Sequence, residues 1–490
     1  MFINIILAGI LVSPVLSIPI ISAATNKVIT WTNCDALAPN LQCANMTLPI
    51  DWDAPGGGGT FSLAMVRLLR SSKGSSSERL GSLFVNPGGP GGSAIELVSA
   101  ITKGLFPVSP NILERFDIIG VDPRGVGMST QVVCDPEIWN ERVSKFPKTK
   151  QDYDRLVSKN TRLGESCLKL TGPLFNHVDT ISSAKDHEAV RAALGEEMNW
   201  LGLSYGSQLG AQYAQLFPEN IRVMVLDGIV QHSQSRTSNI LIESTTYAAT
   251  LEQFFLWAEK DKTSPLKGRN VKQMWYRLLS DAMQTPIPVP SCEKPDLCFP
   301  DVTEDEIRLS AQEFLIPSTT SSKIDFANAL LNASEGDAGQ FAPTFAKDGD
   351  RSSYAELAIG CQDWFTGPIS FEELQATMRM SEVFAPLTKG ASESWTLQAS
   401  CLGWPSPRSN PPAKLDVKTR NPILLVNSLR DPSTSYTWAV GMLDEIKNSI
   451  LLTRNGDGHT SWGSQGATMD AMNHFLITKD LPAPGKVLDT

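Results

Sequence analysis

The sequence lacks the features that would point to a metalloprotein, a nucleic-acid-binding protein or a membrane protein. None of its eight cysteines or five histidines lies in a Cys-x-x-Cys or His/Cys cluster, which argues against a zinc site, and no cofactor is expected. The formal net charge is −10 and no stretch is dense in Lys and Arg, which argues against nucleic acid as the main partner. Beyond residue 24, no apolar run is long enough to span a bilayer. Internal repeats and long low-complexity tracts are also absent.

The first 24 residues are apolar and almost uncharged, and they close with small residues at positions 22–24. This pattern predicts a signal peptide, residues 1–24, cleaved near Ala23 or Ala24, although no Lys or Arg stands near the start. A membrane anchor is the alternative. Two prolines and the small-residue ending favour cleavage, so we expect a secreted, extracellular protein without stable membrane association.

An even number of cysteines fits an oxidising compartment. The simplest of about 105 possible pairings joins neighbours along the chain. It would link Cys34 with Cys43, Cys134 with Cys167, Cys292 with Cys298, and Cys361 with Cys401. Asn45-Met46-Thr47 and Asn332-Ala333-Ser334 have the form of glycosylation acceptors, which a secreted route would make usable.

Short apolar runs alternate with helical patterns along the first half of the chain. Early antiparallel strands joined by exposed turns are predicted in 52–77, where they should form a sheet edge. Buried strands are predicted at 82–86, 116–121, 198–203 and 222–226, with a helix at 182–194. Such alternation favours an α/β fold with a mostly parallel, doubly wound sheet.

The character of the chain changes at residue 232, where proline, serine and helical aromatic stretches replace short apolar strands. Strand patterns resume at 422–427 and 450–452, and a last helix is predicted at 468–476. We therefore predict a signal peptide at 1–24, a first core part at 25–231, an inserted helical cap at 232–402 and a C-terminal core part at 403–490.

Gly202-Leu203-Ser204-Tyr205-Gly206 lies between a predicted strand and a predicted helix. A Gly-x-Ser-x-Gly motif in that context is typical of a nucleophile elbow, where a tight turn exposes the serine and the helix N-terminus favours a developing anion. The motif alone is weak evidence. Ser204 nevertheless becomes the candidate nucleophile, and a serine needs a histidine base oriented by a carboxylate.

Chain order selects the base and the acid. In the strand-and-loop order typical of such hydrolases both follow the serine, so His459 fits as the base. Asp431, in a loop after the strand at 422–427, is the preferred acid over its rivals Asp457 and Asp227. The remaining histidines fit less well: His177 and His187 precede the serine, His232 lies at the cap entrance, and His474 lies in the last helix.

A glycine-rich loop, Asn86-Pro87-Gly88-Gly89-Pro90-Gly91-Gly92-Ser93, follows a predicted strand directly. Bare backbone in such a loop can approach a ligand, and one of its N–H groups can pair with the N–H of Tyr205 to form an oxyanion hole. A phosphate-binding loop is the competing interpretation. It fails because no Lys-Ser/Thr follows and the spacing is not Gly-x-Gly-x-x-Gly.

Together with Gly120-Val121-Asp122-Pro123-Arg124-Gly125-Val126-Gly127-Met128-Ser129, these motifs resemble those of the secreted tripeptidyl aminopeptidases, relatives of the proline iminopeptidases in the α/β-hydrolase superfamily. Arg430-Asp431-Pro432-Ser433-Thr434 and Gly458-His459-Thr460 are similar to that family's acid and base segments. The resemblance covers most of residues 80–462; it is specific in the core and weak in the cap.

The resemblance implies an α/β-hydrolase fold and a serine exopeptidase whose cap recognises a free peptide amine through acidic residues. The roles carried across are Ser204 as nucleophile, His459 as base, Asp431 as orienter, and Gly89 with Tyr205 as oxyanion donors, with Gly88 as the alternative donor. Asp122 and Arg124 look like a structural pair. Glu243, Glu252 and Asp363 are guesses for the amine-binding acids.

Two other functions stay open. An α/β-hydrolase that cleaves an ester, lactone or amide of a small metabolite would use the same three residues, so that only the chemistry of the cap pocket separates it from a peptidase. A catalytically silent binding protein is the third interpretation. It is disfavoured because serine, acid, base and glycine loop all occur in the order expected of an active enzyme.

Overall fold

The structure is a computed structural model that describes residues 28–71, 78–294, 297–317, 319–345, 351–365 and 367–489. The predicted signal peptide, residues 1–24, lies outside the described residues. The eight cysteines form disulfides between neighbours along the chain: Cys34–Cys43, Cys134–Cys167, Cys292–Cys298 and Cys361–Cys401. The side chains of Asn45 and Asn332, whose glycosylation stays a prediction, are exposed.

A single large sheet runs through the molecule. The strands are β1 (Thr32–Asn33), β2 (Leu41–Pro49), β3 (Thr60–Leu68), β4 (Gly81–Asn86), β5 (Phe116–Val121), β6 (Met198–Leu203), β7 (Ile221–Asp227), β8 (Ile287–Pro288), β9 (Asp301–Val302), β10 (Ile423–Arg430), β11 (Ser449–Asp457) and β12 (Val487–Asp489). In the described residues, all of these except β8 and β9 join one sheet in the order β1-β2-β3-β5-β4-β6-β7-β10-β11-β12.

The sheet is parallel from β5 to β12 and antiparallel at the β1-β2-β3 edge, where β3 also pairs with β5 in an antiparallel register. All residues of β5 and β6 are buried, as expected of parallel strands covered by helices on both faces. The predicted mostly parallel sheet with an antiparallel edge is confirmed.

Helices connect the strands and cover both faces of the sheet. They are α1 (Ala94–Thr102), α2 (Pro110–Arg115), α3 (Pro136–Asn140), α4 (Lys150–Thr171), α5 (Thr180–Leu194), α6 (Tyr205–Leu216), α7 (Arg236–Lys260), α8 (Val271–Gln284), α9 (Glu304–Glu313), α10 (Thr320–Ser334), α11 (Ser352–Asp363), α12 (Phe371–Phe384), α13 (Glu393–Ser400), α14 (Tyr436–Met442) and α15 (Ala467–Thr478). None of the helices in the described ranges is both long and apolar enough to cross a membrane.

Between β7 and β10 the chain makes a long helical insertion, residues 228–422, which carries α7 to α13. Helices α7 to α10 bury their own aromatic cluster, which includes Tyr247, Trp275 and Phe326. In contrast, Tyr354 of α11 and Trp395 of α13 belong to the same buried cluster as the central sheet. The insertion is therefore anchored on the sheet through α11 and α13, while α7 to α10 form a second core above it.

Candidate active site

Ser204 lies at the sharp junction between β6 and α6. Its backbone has φ 57° and ψ −126°, in the left-handed region that favours glycine, and its N–H donates to the carbonyl of Asp227 at 2.8 Å. A Cβ atom on Gly202 would lie 2.0 Å from the carbonyl oxygen of Gly206, and one on Gly206 would lie 2.7 Å from the carbonyl oxygen of Asn86. Strand, helix and glycine loop therefore meet too closely here for larger residues, as the elbow motif predicts.

The glycine loop after β4 rests directly on this elbow. A Cβ atom on Gly88 would lie 2.7 Å from Cβ of Ser204 and 2.9 Å from the backbone nitrogen of Tyr205. The N–H of Gly88 already donates to Oδ1 of Asn86 at 3.0 Å. Gly89, with φ 110°, is the next residue in the loop. This arrangement favours Gly89 over Gly88 as a partner of the Tyr205 N–H, and the oxyanion assignment stays a prediction.

Asp431 and His459 are in direct contact, on the loops that follow β10 and β11. Nδ1 of His459 lies 2.9 Å from Oδ2 and 3.0 Å from Oδ1 of Asp431. The carboxylate is fully buried and also accepts hydrogen bonds from the N–H of Ser433 at 3.0 Å and the N–H of Thr434 at 2.8 Å. The hydroxyl of Thr434 donates to Oδ2 at 2.8 Å. A carboxylate with this many donors is held in one orientation.

The pair is also linked electrostatically. Burial opposes ionisation of Asp431, but the charge of His459 and the hydrogen bonds hold the pKa of Asp431 below its ordinary value. Burial likewise opposes protonation of His459, and the negative charges of Asp431, Glu393 and Asp227 raise the pKa of His459 above 6.5 all the same. Each group therefore favours the charged form of the other.

The loop that carries His459 is fixed from below by two buried groups. Asp227 accepts hydrogen bonds from the N–H groups of Ser461 at 2.6 Å and Trp462 at 2.7 Å. Arg454 donates to the carbonyls of Asp457, Gly458 and Thr460, each at 2.8 Å. Asp227 thus braces this loop instead of orienting the imidazole. The other rival acid, Asp457, forms ion pairs with Lys323 and Arg430.

The other histidines have structural surroundings. Nδ1 of buried His187 lies 2.8 Å from the carbonyl oxygen of Ser183, and Nε2 of buried His232 lies 2.8 Å from that of Asp363. Burial lowers the pKa of His232 to about 4. His474 is exposed on α15, and the carbonyl of His177 accepts a hydrogen bond from Arg124. Among these five histidines, the structure brings His459 alone to the carboxylate of Asp431.

The expected pair between Asp122 and Arg124 is wrong. Asp122 instead accepts hydrogen bonds from the hydroxyl of Ser93 at 2.8 Å and the N–H groups of Ile95 and Met128 at 3.0 and 2.7 Å. Arg124 makes a fully buried bidentate ion pair with Asp186 of α5, with two N–O distances of 2.7 Å. The two side chains therefore anchor different elements, the glycine loop and α5, around the same turn.

Two of the guessed amine-binding acids are engaged in buried networks. Glu243 accepts hydrogen bonds from Gln312, from the backbone N–H groups of Glu393 and Ser394, and from the Ser394 hydroxyl. The second, Asp363, accepts from Thr180, Gln208 and Asn410. The third, Glu252, forms a partly exposed ion pair with Lys272 at 2.7 Å. Donors of the protein itself therefore occupy Glu243 and Asp363, and Lys272 pairs with Glu252.

Three other carboxylates lie in the insertion near His459, and the sequence analysis missed them. We call Glu313, Glu356 and Glu393 the acidic cluster. No hydrogen-bond or ion-pair partner for these three carboxylates occurs within the described ranges, although their side chains keep accessible surface. Burial, Glu243 and Glu356 raise the pKa of Glu393 to about 8, whereas His459 opposes the rise. The three carboxylates are exposed to solvent and together form an acidic surface near His459.

The acidic cluster adjoins the glycine loop. A Cβ atom on Gly91 would lie 2.5 Å from the carbonyl oxygen of Ser352 and 3.4 Å from Cβ of Glu356, so the first turn of α11 rests on this loop. Burial and the charge of Glu313 raise the pKa of Glu356 to about 7, and Lys145 opposes the rise.

In the part of the chain that the structure describes, no group of His, Cys, Asp and Glu side chains is arranged to hold a metal ion.

Comparison with known proteins agrees with this architecture. A family model described as "alpha/beta hydrolase fold" matches residues 81–284, and one described as "TAP-like protein" matches residues 385–488. Serine protease Hip1 of Mycobacterium tuberculosis (strain ATCC 25618 / H37Rv) is 27% identical over 489 residues, covering 93% of this chain and 90% of the relative. The tripeptidyl aminopeptidase of Streptomyces lividans is 28% identical over 469 residues, covering 92% and 84%.

A third relative is named as an esterase instead of a peptidase. Carboxylesterase B of Mycobacterium tuberculosis (strain CDC 1551 / Oshkosh) is 26% identical over 476 residues, covering 92% of this chain and 88% of the relative. The predicted family resemblance and the predicted fold are confirmed by the two family models and by these relatives of nearly full length. The chain has the α/β-hydrolase fold with a TAP-like C-terminal part, and its relatives support a serine hydrolase.

Proposed function

We propose that the protein is a secreted aminopeptidase that releases short N-terminal peptides or residues through an acyl-enzyme on Ser204. The observation that carries this proposal is the acidic cluster, which places unpaired carboxylates beside His459. The peptidases among the relatives, named serine protease Hip1 and tripeptidyl aminopeptidase, support the same class of reaction. The disulfides fit the oxidising environment that a secreted protein meets.

In the proposed mechanism His459 removes the proton of the Ser204 hydroxyl as it attacks the scissile carbonyl. Asp431, hydrogen-bonded to Nδ1, keeps Nε2 free to accept that proton and stabilises the imidazolium that results. The N–H groups of Tyr205 and Gly89 bind the oxyanion. His459 then donates its proton to the leaving amine and activates the water that hydrolyses the acyl-enzyme.

The acidic cluster suits a protonated amine. Partial desolvation, and then repulsion from neighbouring carboxylates, raise the pKa values of Glu393 to about 8 and of Glu356 to about 7. An ammonium group between them would restore their ionised forms and gain charge-assisted hydrogen bonds. Glu393 also interacts electrostatically with His459 and Asp431. The proposed ammonium site therefore adjoins the acid–base pair.

Hydrolysis of an ester or amide of a small metabolite is the second candidate, favoured by the relative named carboxylesterase B. The two candidates differ in the substrate group that must lie beside the acidic cluster. An uncharged acyl group gains nothing from three carboxylates and would be better served by an apolar lining. The acidic cluster thus favours the peptidase.

A substrate panel tests the proposal. Aminoacyl, dipeptidyl and tripeptidyl chromogenic amides are compared with their N-acetylated forms and with simple esters. We expect hydrolysis of the free-amine substrates and little of the acetylated ones. Preferential cleavage of acetylated amides or simple esters would contradict the aminopeptidase and support the second candidate.

The nucleophile is tested separately. The variants Ser204→Ala and His459→Ala should each abolish hydrolysis while the circular dichroism spectrum and melting temperature stay near those of the wild type. Near-normal turnover by a correctly folded Ser204→Ala variant would contradict the mechanism for every substrate class.

A further inference from the structure

One turn of the insertion touches both loops of the acid–base pair. The side-chain amide of Gln312, in the last turn of α9, donates to the carbonyl of Pro432 at 3.0 Å, directly after Asp431. Four residues later, the carbonyl of Ile316 accepts the backbone N–H of His459 at 2.8 Å. Residues 312–316 of the insertion therefore contact both the loop that carries Asp431 and the loop that carries His459.

The same amide reaches toward the acidic cluster. Gln312 Nε2 also donates to Oε1 of Glu243 at 2.8 Å, and Glu243 accepts the backbone N–H groups of Glu393 and Ser394, both at 2.9 Å. A primary amide nitrogen carries two hydrogens, and here both are used on opposite sides. Gln312 is therefore the link between the first turn of α13, which carries Glu393, and the loop that carries Asp431.

We propose that Gln312 is a positioning residue that holds Asp431 in line with His459 and couples this pair to the acidic cluster. The proposal rests on the function proposed above, in which Asp431 orients the catalytic base. Gln312 is 2% exposed, so water does not replace its two hydrogen bonds when they are lost. Small displacements of an orienting group have large effects on rate.

A shift at Pro432 would displace the carboxylate of Asp431, because the two residues are adjacent in one hydrogen-bonded loop. The carboxylate is bonded to the backbone of Ser433 and Thr434 within its own loop. The spacing to the His459 loop is also held directly, by the N–H of Gly458 on the carbonyl of Arg430 at 3.0 Å and the N–H of Thr460 on Oδ2 of Asp431 at 3.4 Å. Gln312 supplies the contact from outside, together with the hydroxyl contact of 2.8 Å between Thr246 and Ser435 at the far end of the loop.

The test compares Gln312→Met with Gln398→Met. Gln398 is a matched control, since it is also a buried glutamine of the insertion and donates to one carbonyl, that of Trp364, at 3.0 Å, away from both catalytic loops. Steady-state kinetics on the best free-amine substrate are normalised to active sites counted by titration with a fluorophosphonate. The pH profile of kcat and the low-field NMR signal of the His459 Nδ1 proton are recorded for both variants.

We expect Gln312→Met to lower kcat about 10- to 100-fold with KM within about twofold. The acid limb of its pH profile should move to lower pH, because a weaker contact with Asp431 lowers the pKa of His459, and the low-field signal should shift or broaden. Gln398→Met should leave these readouts unchanged. Gln312→Glu, which keeps the size of the side chain, is measured in parallel in case the Met variant does not fold.

Unchanged kcat and an unchanged acid limb in either folded Gln312 variant would overturn the positioning role. Equal losses in Gln312→Met and Gln398→Met, with no change in the pH profile, would also overturn it, because they would reflect general loosening of the insertion. These outcomes are distinct from failure of the proposed function, which would show as preferential cleavage of acetylated amides or simple esters, and from failure of the mechanism, which would show as persistent turnover in Ser204→Ala.

Discussion

Replacing Glu393 with glutamine removes the carboxyl group that would ionise to pair with the substrate ammonium group, and it keeps the shape of the side chain. A hydrogen bond to a charged group contributes about 1.5–3 kcal/mol, so kcat/KM for free-amine peptide amides should fall about 10- to 100-fold. Substrates without an ammonium group should be hydrolysed as before. Stopped assays on paired free and N-acetylated tripeptidyl amides measure both values with one enzyme preparation.

The raised pKa of Glu393 adds a second readout. A carboxyl group with a pKa of about 8 is mostly protonated at pH 7, but it must ionise to pair with an ammonium group. Peptide binding should therefore release nearly one proton from this residue. Calorimetric titration of the inactive Ser204→Ala variant in two buffers of different ionisation enthalpy counts the protons. The double variant with Glu393→Gln should release about one proton fewer.

Glu252→Gln is the matched control for this prediction, because Glu252 is a partly exposed glutamate of the insertion that is paired with Lys272. It should change neither kcat/KM nor the proton count. The reasoning is refuted if Glu393→Gln reduces hydrolysis of free and N-acetylated substrates by the same factor. It is refuted equally if the two inactive variants release the same number of protons.

Other conditions and substitutions distinguish loss of catalysis by Asp431 and His459 from loss of stability of the fold. In a pH–rate study, wild-type activity should fall as the pH drops through the raised pKa of His459, so its acid limb should lie above pH 6.5. Asp431→Asn should move that limb to lower pH and lower kcat by about 10⁴-fold. Asp186→Asn, which breaks a fully buried ion pair, should lower the free energy of unfolding by about 3–5 kcal/mol in urea titrations, while kcat per titrated site is kept. Gly91→Ala should lower both stability and kcat/KM because its Cβ atom would lie 2.5 Å from a carbonyl oxygen of α11, whereas Gly56→Ala, with nothing within 4 Å, should have little effect in the same assays.

The parts that could be predicted from sequence are those encoded locally or by chain order. The elbow at Ser204 depends on two glycines within a five-residue motif, and Asp431 and His459 follow the strands after which such residues are expected. The parallel strands were visible as short apolar runs because each is buried on both faces. The order of the strands in the sheet, and the contacts between residues at the strand ends, depend on tertiary structure and could not be predicted from these runs alone.

Partners far apart in the chain were not predictable in this way. Arg124 pairs with Asp186, 62 residues later, although Asp122 is only two residues away. The acidic cluster was missed because Glu313, Glu356 and Glu393 stand on three different helices with no common spacing. Glu243 and Asp363 look equally suitable in sequence, and only the structure shows that backbone and side-chain donors already occupy them.

The contrast between these two groups of acids bears on why the acidic cluster exists. A buried carboxylate lowers stability unless donors compensate it, and the chain supplies several donors each to Glu243, Asp363 and Asp431. For the acidic cluster, the described residues supply none, and its raised pKa values mean that ionisation becomes a cost to the fold as the pH rises from 4.5 through about 8. In the proposed function the substrate amine would offset this cost, because its positive charge would pair with the acidic cluster while the substrate is bound.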